Sequence, residues 1–272
     1  MRRFLLLTVL FSMLYASSAY AMITMSRHNL SSSHVEVAES TPYADVYTSG
    51  TSEVCVFCHT PHGGTTDAPL WNRALATAGT YTPYTSTTMD APTGQPGGIS
   101  LACLSCHDGT IALDAIRNAP GSGNFSTTPT SQGWTFNGLP NSPTDNTMPE
   151  GAGNRWITNL TQNLSDDHPI SIRYANYGGT TLDPQFNIPG GSSSTALWFE
   201  ETANTRADDN EVKLYPTGGV FMVECASCHN PHGTTAEFGT PANQLAPNGR
   251  DYATFLRKSN AASALCTTCH IK

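Results

Sequence analysis

Beyond its first 21 residues this chain of 272 residues has no apolar run near the roughly 20 residues that a membrane-spanning helix needs. It is also poor in charge. Asp, Glu, Lys and Arg make up 12% of the residues, and 13 basic residues stand against 21 acidic ones, which disfavours nucleic acid as a partner. Hydrophobic residues reach 38%, low for a globular domain, while Gly, Pro, Ser, Thr and Asn are abundant. So few apolar side chains leave two options: partial disorder, or a core filled by something other than side chains.

The N-terminus reads as a secretory signal peptide, residues 1–21. Met1, Arg2 and Arg3 precede an apolar stretch from Phe4 to about Leu14, and Ala19-Tyr20-Ala21 forms a small-residue cleavage site. Cleavage there takes the basic count from 13 to 11 and the formal charge from −8 to about −10. Met22 then follows, not Cys, so no thiol stands at that point to carry a lipid. The expectation is an exported, soluble protein with no transmembrane segment, extracellular or at the cell surface, with the periplasm as the alternative.

The eight cysteines fall into four pairs, Cys55/Cys58, Cys103/Cys106, Cys225/Cys228 and Cys266/Cys269, and the next residue is in every case a histidine: His59, His107, His229 and His270. CxxCH is the attachment signature of c-type haem. Its two thiols add to the vinyl groups of one haem, and the adjacent imidazole meets one axial face of the iron. Disulfides and structural zinc also use paired cysteines, but neither requires a histidine next in line. Histidine is 9 of the 272 residues, so four such coincidences have a chance on the order of one in a million. Four covalently bound haems are therefore expected, with the four histidines as proximal ligands.

Five histidines remain: His28, His34, His62, His168 and His232. Four irons need four further ligands, so the supply favours six-coordinate bis-histidine haems. His62 and His232 each follow a proximal histidine by three residues, in Cys58-His59-Thr60-Pro61-His62-Gly63 and Cys228-His229-Asn230-Pro231-His232-Gly233. Three residues span at most roughly 10 Å, too little to pass round a porphyrin and return on its far side, so each should serve a neighbouring haem. His168 stands before Pro169, which pushes it to an extended conformation, and Asp166 and Asp167 could accept its ring N–H. The fourth distal ligand is expected from His28, with His34 as the alternative. Met89, Met148 and Met222 read as packing or loop residues, and bis-histidine ligation predicts low midpoint potentials.

An upstream histidine, a CxxCHxPHG segment and a plain CxxCH occur in that order twice, which reads as a duplicated dihaem unit. The expected organisation is a first dihaem unit with an N-terminal arm over 22–117, an irregular connection over 118–166 and a second dihaem unit over 167–272. The fold class is mostly irregular coil with short helices and few short strands, wrapped around a haem core. Helical pattern covers Leu101 to Ile116, with Ile111, Leu113 and Ile116 as buried candidates, and also Asp251 to His270. Ala196–Phe199 and Glu211–Tyr215 could pair as a hairpin.

The segments Cys55 to Gly64, Cys103 to Thr110, Asp167-His168-Pro169 and Cys225 to Gly233 resemble the multihaem c-type cytochromes with a doubled CxxCH motif. They are most similar to the tetrahaem outer-surface cytochromes of metal-reducing bacteria that polymerise into filaments. The resemblance implies closely stacked haems, no catalysis, and self-association into an extracellular filament in which a histidine of one subunit ligates a haem of the next. His28 or His34 on the N-terminal arm would be that donor. Two other readings stand beside this one: a monomeric periplasmic shuttle working with other redox proteins, and a multihaem reductase with one open iron. The surplus of histidines and the absence of any CxxCK weigh against the reductase.

Overall fold

The computed structural model describes residues 21–24, 26–34, 45–66, 68–91, 93–150, 158–175, 183–199, 207, 211–232, 255–258 and 260–271. The predicted signal peptide lies outside them except for Ala21, and Gly233 of the second CxxCHxPHG segment lies outside them too. The described chain is mostly irregular, with short helices and small sheets, as its Gly and Pro content favours. No helix among the described residues is long and apolar enough to cross a membrane.

The helices are α1 (Ala21–Thr24), α2 (Gly98–His107), α3 (Cys225–Cys228) and α4 (Ala264–Cys269), with 3-10 turns at Val54–Phe57 and Ala261–Ser263. Every CxxCH therefore lies on or at the end of a helical turn. Eleven short strands accompany them: β1 (Tyr47–Thr48), β2 (Thr82–Pro83), β3 (Ala115–Ile116), β4 (Thr130–Ser131), β5 (Phe136–Asn137), β6 (Asn163–Leu164), β7 (Ile172–Arg173), β8 (Gly191–Ser192), β9 (Leu197–Trp198), β10 (Lys213–Thr217) and β11 (Val220–Val223). The largest sheet has the order β7-β11-β10-β9-β8, with antiparallel neighbours throughout.

The expected hairpin forms, Lys213 opposite Trp198 and Leu214 opposite Leu197. A second one, β10–β11, turns through Gly218 and Gly219 at φ 59° and 83°, a left-handed pair that glycine adopts without strain. The helix expected over Leu101 to Ile116 stops at His107. Asp108 caps it, Gly109 turns the chain at φ 72°, and Asp108 Oδ1 accepts from the backbone and hydroxyl of Thr110. Leu113 and Ile116 are buried as anticipated, but from β3 and the loop before it; Ile111 is half-buried. The helix expected over Asp251 to His270 shrinks to its last turns. Residues 251–254 lie outside the described set, Phe255 takes φ 53°, and Leu256 bridges to His229 as extended chain.

Buried apolar residues form several small clusters. Tyr174, Leu197, Phe199, Val212, Leu214 and Phe221 pack over the five-stranded sheet, with Cys269 against them. Leu101 and Leu104 of α2 meet Ala76, Tyr81 and Leu164. Phe57, Leu113, Phe136 and Leu139 form a third group, against which Cys58 and Cys106 rest. The stretch 130–139 joins this third group through strand pairs β3–β4 and β1–β5. Cys58, Cys106 and Cys269 thus lie at the margins of the apolar clusters.

Candidate functional site

In a helix, residues i, i+3 and i+4 share one face, so a single turn suffices to align two thiols and an imidazole. Three of the four motifs are built as such a turn. The N–H groups of His59, His229 and His270 donate to the carbonyls of Cys55, Cys225 and Cys266 at 2.8, 3.1 and 2.9 Å. Each chain then leaves the helix, His229 at φ −108°, ψ 137° and His270 at φ −94°, ψ 134°. The remaining motif forms the C-terminal end of α2.

The eight cysteines form no disulfide. Their thiols run through the molecule in sequence order. Cys58 and Cys106 rest on one apolar cluster, Cys103 lies near Cys225, and Cys228 lies within electrostatic reach of both Cys266 and Cys269. Burial pushes Cys58 and Cys269 up to about 12 and Cys228 to about 11, which keeps these thiols neutral. The junction between the second and third pairs is pinned by Glu224. Its carboxylate accepts from Ser100, Ser171 and Thr217, while the Cys225 N–H donates to Ser100 Oγ, so α2 and α3 are held together by a buried polar network.

The two CxxCHxPH segments share a further backbone arrangement that sequence reasoning missed. In the first, Asn72 N donates to Cys58 O at 2.9 Å and Thr60 N to Leu70 O at 2.9 Å. In the second, Arg257 N donates to Cys228 O at 2.7 Å and Asn230 N to Phe255 O at 2.8 Å. Leu70 and Phe255 both take a left-handed conformation, φ 54° and 53°. The available signal was the pair Leu70-Trp71-Asn72-Arg73 and Phe255-Leu256-Arg257-Lys258, each two apolar residues, a polar one and a basic one.

A carbonyl oxygen can only accept, so a ring nitrogen bonded to one carries a proton, and in a neutral ring the other nitrogen then keeps the lone pair that binds metal. His28, His59, His107 and His168 are all oriented in this way. Their Nδ1 atoms donate to the carbonyls of Pro231 (2.9 Å), Pro69 (2.6 Å), Thr158 (2.7 Å) and Pro169 (3.0 Å). For His168 the acceptor is the following proline carbonyl instead of Asp166 or Asp167. Burial, with His107 close by, also pushes His28 down to about 4, and burial lowers His107.

His34 differs. Its Nδ1 donates to Asn29 O at 3.0 Å, and its Nε2 lies 3.0 Å from Asp45 Oδ2, off the hydrogen-bond direction, with Tyr47 stacked on the ring. Both its nitrogens face oxygen. His62, His168, His229 and His232 are exposed, and His270 is half-buried against Phe186. The structure brings His28 and His107 to a centroid separation of 6.1 Å, and His59 and His232 to 5.9 Å.

Among the described residues no three His, Cys, Asp or Glu side chains converge on one point as a metal-ion centre. A haem iron asks for less from the chain, since the macrocycle supplies four of its six ligands. The residues present fit that group: aligned thiol pairs, imidazoles with bare Nε2 atoms, and two buried donors, Trp71 Nε1 and Thr65 Oγ1, with no partner among the described residues. Trp71 bridges to both His59 and Thr65, so haem carboxylates could accept from these donors. No protein-family model matches the chain, and no curated protein matches it either.

Proposed function

We propose that this chain is an exported c-type cytochrome that binds four haems covalently and passes electrons along them. Cys55/Cys58, Cys103/Cys106, Cys225/Cys228 and Cys266/Cys269 would tether one haem each, with His59, His107, His229 and His270 as proximal ligands. Bound haem supplies a one-electron carrier. The chain's own part is to fix spacing and protonation: thiols on helical turns set where each group hangs, and backbone carbonyls hold the ring protons of the imidazoles on Nδ1.

The single observation that carries the reading is the order of the thiols. Four CxxCH turns follow one another through the fold as 1-2-3-4: the first and second rest on one apolar cluster, the third is bonded to the helix of the second, and the fourth lies within electrostatic reach of the third. Groups tethered there would stand in one line, as conduction requires and as a single catalytic centre does not. The test is expression with the signal peptide in a host that attaches c-type haem. A red exported protein whose intact mass exceeds that of its polypeptide by four haems is expected, and a colourless product at the polypeptide mass overturns the reading. Electron paramagnetic resonance of the oxidised protein separates conduit from reductase, since an open iron gives a high-spin signal.

The resemblance extends the proposal to end-to-end assembly into an extracellular filament, tested by negative-stain microscopy of the secreted material. The single-chain fold bears on how such assembly works. His28 faces His107 of its own chain and His34 sits against Asp45, so neither candidate donor on the N-terminal arm is turned outward.

A further inference from the structure

We infer which imidazoles share an iron: His232, from the second half, completes the iron whose proximal ligand is His59 in the first, and His28 completes the iron whose proximal ligand is His107. The inference rests on the haem reading and adds to it which imidazoles share a metal.

Two imidazoles bound through Nε2 on opposite sides of one metal, at about 2 Å each, place their ring centroids about 6 Å apart. The observed separations are 5.9 Å for His59 and His232 and 6.1 Å for His28 and His107. Rotation about the metal–nitrogen axis leaves the interplanar angle free, so 22° and 63° both suit. Simple ring stacking is the bland alternative, and this protein shows what that looks like. His28 and Phe255 lie 4.2 Å apart at 10°. The nearly parallel His59 and His232 rings stand well beyond that contact distance, with room for an atom between them.

Hydrogen bonding agrees with the distances. His28, His59 and His107 each give their Nδ1 proton to a carbonyl, which leaves Nε2 for the metal. The carbonyl that orients His28 belongs to Pro231, 203 residues away and immediately before His232. One short turn of the second half therefore positions both distal ligands, His232 directly and His28 through Pro231, while Phe255 covers the His28 ring. By count, His62 and His168 remain for the irons of His229 and His270. His34, with an oxygen facing each nitrogen, is left out.

The test counts high-spin iron in the oxidised holoprotein. His28→Gly and His232→Gly should each convert one quarter of the iron, both together one half, and His34→Gly none. Each replacement is then repeated where one haem cannot attach. His28→Gly should lose its effect in a Cys103→Ser/Cys106→Ser background and keep it in Cys55→Ser/Cys58→Ser; His232→Gly should do the reverse. If a haem-deficient background fails to fold, the unaltered protein decides. In its reduced, diamagnetic state, His28 ring protons should show nuclear Overhauser contacts to the haem thioether-linked to Cys103 and Cys106. An all-low-spin His28→Gly, a background dependence opposite to that stated, or contacts to a different haem overturns the pairing while leaving a red tetrahaem protein. A colourless protein overturns the haem reading itself.

Discussion

Arg73 offers a measurable test of how the first two motifs are locked together. Its guanidinium is completely buried and donates to Leu113 O at 2.6 Å, Ala112 O at 2.8 Å, Ser105 O at 3.1 Å and Ser105 Oγ at 3.4 Å. It thereby ties the segment after the first CxxCH to the last turn of α2 and to the loop leading into β3. Methionine matches the length of the arginine stem and donates nothing. In Arg73→Met, Ala112 O still accepts from Ala115 N at 3.0 Å, but among the described residues no second donor reaches Leu113 O or Ser105 O. Two buried carbonyls without partners cost about 1–3 kcal/mol each. A destabilisation of about 4 kcal/mol is expected, a large share of the roughly 5–15 kcal/mol typical of a domain. Denaturant unfolding of the protein as exported, followed by tryptophan fluorescence, measures it. A loss under about 1 kcal/mol, or full recovery in Arg73→Lys, would refute the reasoning, since an ammonium cannot reproduce the fork.

Other perturbations are equally direct. Burial raises Glu224 above its ordinary 4.5, so the stability linked to its proton is full in acid and lost as pH climbs through the raised value. Glu224→Gln should melt progressively higher than the parent as pH rises from acid to neutral; a gap constant with pH would argue against a buried carboxylate there. A Cβ on Gly191 would fall 2.0 Å from the Trp198 ring, itself 2% exposed, so Gly191→Ala should cost about 1–3 kcal/mol in thermal unfolding. Equal melting temperatures would show that the β8–β9 edge gives way easily. Replacing Gly218 and Gly219 together by alanine should cost about 1–2 kcal/mol at each left-handed position, while Gly218→Asn should be tolerated. An alanine pair as stable as the parent would mean that β10–β11 turns by another route.

What could be read locally was read well. The β9–β10 hairpin follows from apolar and β-branched alternation on either side of a polar loop, and the coil-rich class follows from composition. Errors arose where a local pattern met a competing contact. The helical period continues past His107, but Asp108 bonds Thr110 and Gly109 turns left-handed, so the helix ends. The period from Tyr252 through Leu256 looks helical too. There Phe255 to Arg257 is drawn out to pair with Cys228 and Asn230, because the second CxxCHxPH turn needs backbone partners. Gly218-Gly219 is itself a hairpin-turn signal in the sequence, since both positions need a positive φ.

The sequence by itself determined the motif on which haem attachment is proposed, because two thiols and an imidazole that must share one face need only the spacing of a single helical turn. Five candidate distal histidines were equally plain as residues, yet nothing in their spacing says which imidazole meets which. Only the tertiary structure decided that His28 bonds to the Pro231 carbonyl and stands opposite His107 while His34 turns to Asp45. The bond from His28 to Pro231 joins segments 203 residues apart, and these contacts depend on how the turns pack, on which carbonyls are left to accept a ring proton, and on no local rule.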